Sequence, residues 1–140
     1  MPSSSQSQLP SALGYRMPAE WEPHSSTWLA WPHFRDDWPG KFEPIPWVYA
    51  EIIRNLTRHE RVDLIVNSER AENGARAVLE KADALSDNVV FHRWRTDRVW
   101  TRDSGCIFLT PSASAAKPEL AALHFQFNAW AKYPNYKQDA

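Results

Sequence analysis

Apolar residues recur along this chain with two alternating periods. At 26–31 the run Ser26-Thr27-Trp28-Leu29-Ala30-Trp31 predicts a first strand, closed by Pro32. Residues 33–44 read as a loop built on Pro39-Gly40 and charged positions. Pro46 suits the first turn of a helix, where its missing N–H needs no partner, and the helix is predicted to reach about His59. Val48, Ile52, Ile53 and Leu56 are expected on its apolar face. Residues 62–66 predict a short strand buried on both faces. Asn67 or Ser68 is placed to cap a second helix over about 69–84. Further strands are predicted at 88–94, 104–110 and 122–128, with a small-residue loop at 111–118. Strand, helix, strand, helix, strand, loop, strand, strand is an α/β pattern with mixed strand directions.

Composition narrows the partners. Sixteen basic and seventeen acidic residues give a formal net charge of −1 over 140 residues. That balance gives no electrostatic footprint for nucleic acid. No apolar run approaches the length of a membrane span, so no membrane partner is expected. Residues 1–17 read as a disordered tail and 18–140 as one partial domain. The start of the chain lacks the basic and apolar segments of a secretory leader. With Cys106 as the one cysteine, no intrachain disulfide can form, and the cytoplasm is the expected compartment. The spacing of His24, His33, His59, His92 and His124 matches no metal motif, and four glycines make no phosphate loop. No metal site is expected. Homo-oligomerisation is left open.

The densest chemistry lies at Thr96-Asp97-Arg98-Val99-Trp100-Thr101-Arg102-Asp103-Ser104-Gly105. A carboxylate such as Asp103 can accept two parallel hydrogen bonds from a guanidinium ion, and Trp100 can lay its ring on the flat cation or its alkyl stem. The competing reading is a structural pair, Arg102 with Asp97 or Asp103, holding a turn. Cys106 reads as a small buried strand residue rather than a nucleophile. Eight tryptophans are a high count for 140 residues. They could line an aromatic binding groove, but core and loop packing is the expectation for all except Trp100.

Several runs resemble one known family. Pro18-Ala19-Glu20-Trp21-Glu22-Pro23-His24, Thr27-Trp28-Leu29-Ala30-Trp31-Pro32 and Trp38-Pro39-Gly40 are similar to the opening of agmatine deiminases and the related bacterial peptidylarginine deiminases. Trp100-Thr101-Arg102-Asp103-Ser104-Gly105 resembles their first active-site motif, and Phe127-Asn128-Ala129-Trp130-Ala131-Lys132-Tyr133 their next marker. The resemblance implies a pentein-like fold, a five-module α/β propeller, with this chain supplying the first ββαβ-type module and the start of the second. It implies a cofactor-free hydrolase in which a Cys thiolate attacks the guanidinium carbon and ammonia leaves. The His motif and the nucleophilic Cys would lie in later modules, so these 140 residues alone are expected to be inactive.

By position in the motif, Asp103 would be the catalytic-site carboxylate that binds the guanidinium. Trp100 would pack along the substrate chain, and Asp97 and Arg102 would brace the loop. Cys106 stands where the family usually has Pro. The stretch Asn128-Ala129-Trp130-Ala131-Lys132 lacks the Arg pair that peptidylarginine deiminases place there. That favours agmatine, converted to N-carbamoylputrescine in putrescine biosynthesis, over peptidyl arginine. The alternatives are a peptidylarginine deiminase fragment and a non-catalytic, aromatic-rich binding module.

Overall fold

A computed structural model describes residues 9–112 and 119–140. In chain order the regular elements are a 3-10 turn at Pro10–Leu13, β1 (Tyr15–Arg16), β2 (Ser26–Ala30), a 3-10 turn at Arg35–Asp37, α1 (Ile45–Leu56), β3 (Arg61–Ile65), α2 (Glu69–Lys81), β4 (Val89–His92), α3 (Thr101–Ser104), β5 (Ile107–Pro111), β6 (Ala121–Leu123) and a 3-10 turn at Ala129–Ala131. They fall into two compact units, Pro23–Ser104 with Gln126–Ala140, and Met1–Glu22 with Gly105–Phe125.

The larger unit is a three-stranded parallel sheet in the order β2-β3-β4. Trp28 pairs with Asp63, and Leu64 with Phe91. Two strand-helix-strand crossovers in succession build it, as consecutive parallel strands require. One sheet face carries Val62, Leu64 and Val89, and these pack with Ala50 and Ile53 of α1 and Ala75 and Leu79 of α2. The pleat sends alternate residues to the other face. Ser68 begins α2 as its side chain accepts from the Ala71 N–H at 3.2 Å.

The second sheet face is polar and aromatic. Asp63 is buried on it, with His92 Nε2 at 2.8 Å from Oδ1 and Arg61 Nε donating to Oδ2 at 3.0 Å. Trp28 and Trp94 each lie against the His92 ring, at 4.8 and 4.9 Å between centroids. Burial pushes the Asp63 carboxyl up, but the hydrogen bonds from His92, Ser26 and Arg61 and the charge of Arg61 outweigh it and hold it below its ordinary value.

The smaller unit is an antiparallel sheet in the order β1-β5-β6. Gly14 adopts φ 82°, a left-handed cap that returns its N–H to the Pro10–Leu13 turn and leads into β1. Its carbonyl accepts from the Ser112 N–H at 2.8 Å.

Several expectations change. The stretch read as a tail holds regular structure from Pro10 to Arg16, while residues 1–8 lie outside the described ones. Most of the expected 111–118 loop, residues 113–118, also lies outside them. On α1, Ile53 faces the core, but Val48 and Ile52 are 50% and 41% exposed. Tyr49 and Ala50 join Ile53 and Leu56 at the core, so the packed face of the helix is offset from the expected one. The strand expected at 104–110 gives way to the helical turn α3 and starts only at Ile107, which leaves Cys106 exposed rather than buried in a strand. The strand expected at 122–128 is shortened to Ala121–Leu123. The tryptophans are not mostly core: Trp21, Trp47, Trp94, Trp100 and Trp130 are all substantially exposed.

Candidate active site

In a parallel sheet the loops that follow the strands gather at one edge, and ligands bind there. Three such loops are tied together here. Asn67, just past β3, receives the Thr96 N–H and Oγ1–H at 3.1 Å and donates to the Thr96 carbonyl at 3.0 Å. The His33 ring, past β2, lies 3.1 Å from the same carbonyl through Nε2 and 3.1 Å from the Trp31 carbonyl through Nδ1. Thr96 therefore starts the segment after β4 from a fixed point.

From that point the chain turns into α3. The Trp100 carbonyl accepts from the Asp103 and Ser104 N–H groups at 3.0 and 3.1 Å, a single helical turn. Thr101 Oγ1 donates to the Trp28 carbonyl at 3.3 Å and ties that turn to the middle of β2. Asp103 is thereby presented exposed on a short, braced element. It lines a cleft of about 760 Å³ with Trp100, Phe34, Asp37, Trp130 and Lys132, among others.

Arg98 organises the floor of this cleft, although nothing in the polar run at 96–105 distinguishes it from Arg102. It is buried, and its guanidinium pairs with Asp37 through Nη1. Nη2 donates to Asn135 Oδ1 at 2.8 Å. The Phe34 and Tyr133 rings lie 4.4 and 4.3 Å from Cζ. Two carboxylates add to the grip. Asp139 Oδ1 accepts from the Asp97 and Arg98 N–H groups at 2.8 and 3.3 Å. Asp97 Oδ2 accepts in return from the Gln138 N–H at 2.9 Å. Burial pushes the Asp139 carboxyl above its ordinary value, despite those two N–H donors. Burial also raises the Tyr49 phenol, and the Asp37 charge adds to that.

Of the residues singled out from sequence, Trp100 and Asp103 share the cleft. Asp97 meets the 136–139 segment instead, and Arg102 is exposed. Trp130, Lys132 and Tyr133 belong to a quoted motif, yet nothing in their spacing foretells that they line the cleft. Asp37 is one of two adjacent aspartates in a loop, and burial is what separates it from Asp36.

A site of this make-up, acidic and aromatic at the carboxyl edge of a parallel α/β sheet, suits a flat organic cation. The chain belongs to the Porphyromonas-type peptidyl-arginine deiminase family, whose model it matches over residues 16–140. It is 34% identical to the agmatine deiminase of Ectopseudomonas mendocina over 121 residues, which are 86% of this chain and 30% of that protein. It is 33% identical to the agmatine deiminase of Pseudomonas aeruginosa strain LESB58, over 91% of this chain and 32% of that protein. Among solved structures it is similar to a Cys-to-Ser variant of C. jejuni agmatine deiminase with substrate bound, at 25% identity and a TM-score of 0.69. That match covers 89% of this chain and 34% of the other. Agmatine deiminase of Enterococcus faecalis shares the fold at 23% identity and a TM-score of 0.76, over 93% of this chain and 34% of that one. The chain thus spans about a third of the relatives it matches.

Proposed function

We propose that this chain supplies the guanidinium-holding part of a deiminase site that converts agmatine and water to N-carbamoylputrescine and ammonia. The observation that carries the reading is Asp103, exposed on the braced turn α3 in a cleft shared with Trp100. In this reading Asp103 accepts two guanidinium N–H bonds and Trp100 packs on the cation or its alkyl chain. A Cys thiolate from the part of the fold that relatives carry beyond the matched third attacks the guanidinium carbon. Ammonia leaves with a proton from a His acid, and water cleaves the S-alkylthiouronium intermediate, returning the thiol. Residues 18–140 would be part of a deiminase domain, the first ββαβ module and the start of the second in a five-module propeller. A cytoplasmic place in putrescine synthesis fits the same reading. In this reading the present chain holds the cation, and the groups that break its C–N bond lie outside the matched third.

Replacing Asp103 with Asn is the direct test. Loss of a charge-assisted pair costs roughly 1.5–3 kcal/mol, or about 10- to 150-fold in affinity. Calorimetric titration with agmatine should show that loss at unchanged melting temperature, because Asp103 is exposed. Equal affinity of both proteins would remove Asp103 from the site. A second reading has one observation in its favour. Lys132 lines the cleft and could meet the carboxylate of a C-terminal peptidyl arginine. A dipeptide ending in arginine that binds more tightly than agmatine would select it.

A further inference from the structure

Ala129, Trp130 and Ala131 have φ of 51°, 56° and 54°. Three consecutive non-glycine residues are left-handed, against a steric preference that Ala and Trp share. Asp83, the other non-glycine residue of positive φ among those described, stands alone just past α2. The turn at Ala129–Ala131 is different in kind: its own sequence does not favour it, so the surrounding structure must hold it. It also puts Trp130 in the cleft that contains Trp100 and Asp103.

The holding contacts lead to one side chain. Trp130 meets the Phe127 and Tyr133 rings edge-on, at 5.3 and 6.1 Å between centroids. Tyr133 in turn lies on the Arg98 guanidinium, which bonds Asn135 and the Asp37 carboxylate. One buried cation thus joins the segment after β2 to the segment after the strained turn, from a position two residues before Trp100. As a stabiliser the arrangement is costly. Buried ion pairs contribute little net stability, and Asp37 Oδ2 and Arg98 Nε are buried with no hydrogen-bond partner among the described residues. What the cluster does well is fix geometry.

We infer that Arg98 is a positioning residue for ligand recognition: it latches the strained Ala129–Ala131 turn so that Trp130 stands in the cleft wall with Trp100 and Asp103. The inference rests on the proposed reading of the cleft as a guanidinium site, and adds the group that sets the shape of that site.

The test uses the 140-residue chain, titrated calorimetrically with agmatine, with the Trp130 indole N–H resonance read in parallel. Arg98→Lys keeps the charge but loses the planar stack and the fork. It should weaken binding about tenfold or more and shift the Trp130 resonance. Ala131→Gly alone should change affinity by less than about twofold, while added to Arg98→Lys it should recover roughly fivefold, because glycine takes the left-handed turn without strain. If Arg98→Lys fails to fold, Asn135→Ala removes one Arg98 partner and should move both readouts in the same direction. Arg98→Lys that lowers only the melting temperature, with affinity and resonance unchanged, overturns the inference. So does a loss of affinity that Ala131→Gly does not recover. If the unaltered chain does not bind agmatine, the guanidinium reading fails. The latch is then judged on the ligand-free Trp130 resonance alone, which must shift in Arg98→Lys and return in the double variant.

Discussion

Replacing Asp63 with Ala should destabilise the larger unit in a way that depends on pH. Asp63 sits on the central strand with its side chain 2% exposed and accepts from His92 and Arg61. The His92 contact, at 2.8 Å beneath two tryptophan rings, is the costly loss. A charge-assisted bond in such a place contributes roughly 1.5–3 kcal/mol. Arg61 is half-exposed, so solvent screening limits its part to under about 1 kcal/mol. Together these give about 1.5–4 kcal/mol at neutral pH, or a fall in Tm of roughly 5–20 °C for a chain of this size. The folded pKa of Asp63 lies below its ordinary 3.8. Its contribution is therefore complete above that value and fades as pH falls through the lowered folded value. Urea unfolding of both proteins at pH 7 and at about pH 2 reads this directly, with the gap narrowing at the acid end. A gap below about 0.5 kcal/mol at pH 7, or one of constant size across pH, would refute the assignment.

Other expectations follow from the same structure. Ile53→Ala empties a fully buried position between α1 and the sheet and should cost about 2–5 kcal/mol in urea unfolding. Ser68→Ala removes the side-chain cap of α2 and should cost about 1 kcal/mol, while Ser68→Gly costs only a few tenths. Asp139→Asn should gain stability relative to the unaltered chain as pH rises. The Asp139 pKa is raised above 3.8 in the fold, so its favourable contribution is whole below that value and is lost as pH climbs through the folded value. Thermal unfolding from about pH 3 to pH 7 should show the two Tm curves diverging upward, and parallel curves would count against a raised Asp139 pKa.

Much of the larger unit was legible in the sequence. Hydrophobic periodicity placed β2, α1, β3, α2 and β4 because each buries one face or both, and the cap at Ser68 marked the start of α2 locally. The motif around Trp100 and Asp103 was also legible, since residue order is all that a motif contains. No helix among the described residues is long and apolar enough to cross a membrane. Which face of α1 turns inward was not legible. Val48 and Ile52 are as apolar as Ile53, and only the fit of Ala50 against the sheet decides between them.

The cleft itself belongs to tertiary structure. Arg98 and Arg102 are four residues apart in one polar run, and composition cannot rank them. Burial does: Arg98 bonds Asp37, 61 positions earlier, and Asn135, 37 positions later, while Arg102 faces solvent. The left-handed turn at Ala129–Ala131 runs against what Asn128-Ala129-Trp130-Ala131 would choose locally. A single residue's preference amounts to about 1–2 kcal/mol, and a set of long-range contacts can exceed it. The sequence alone determined β2, α1, β3, α2 and β4 and the residue order of the motif around Trp100 and Asp103. The tertiary structure decided which charges are buried, how three distant loops meet, and so what shape the motif presents to a ligand.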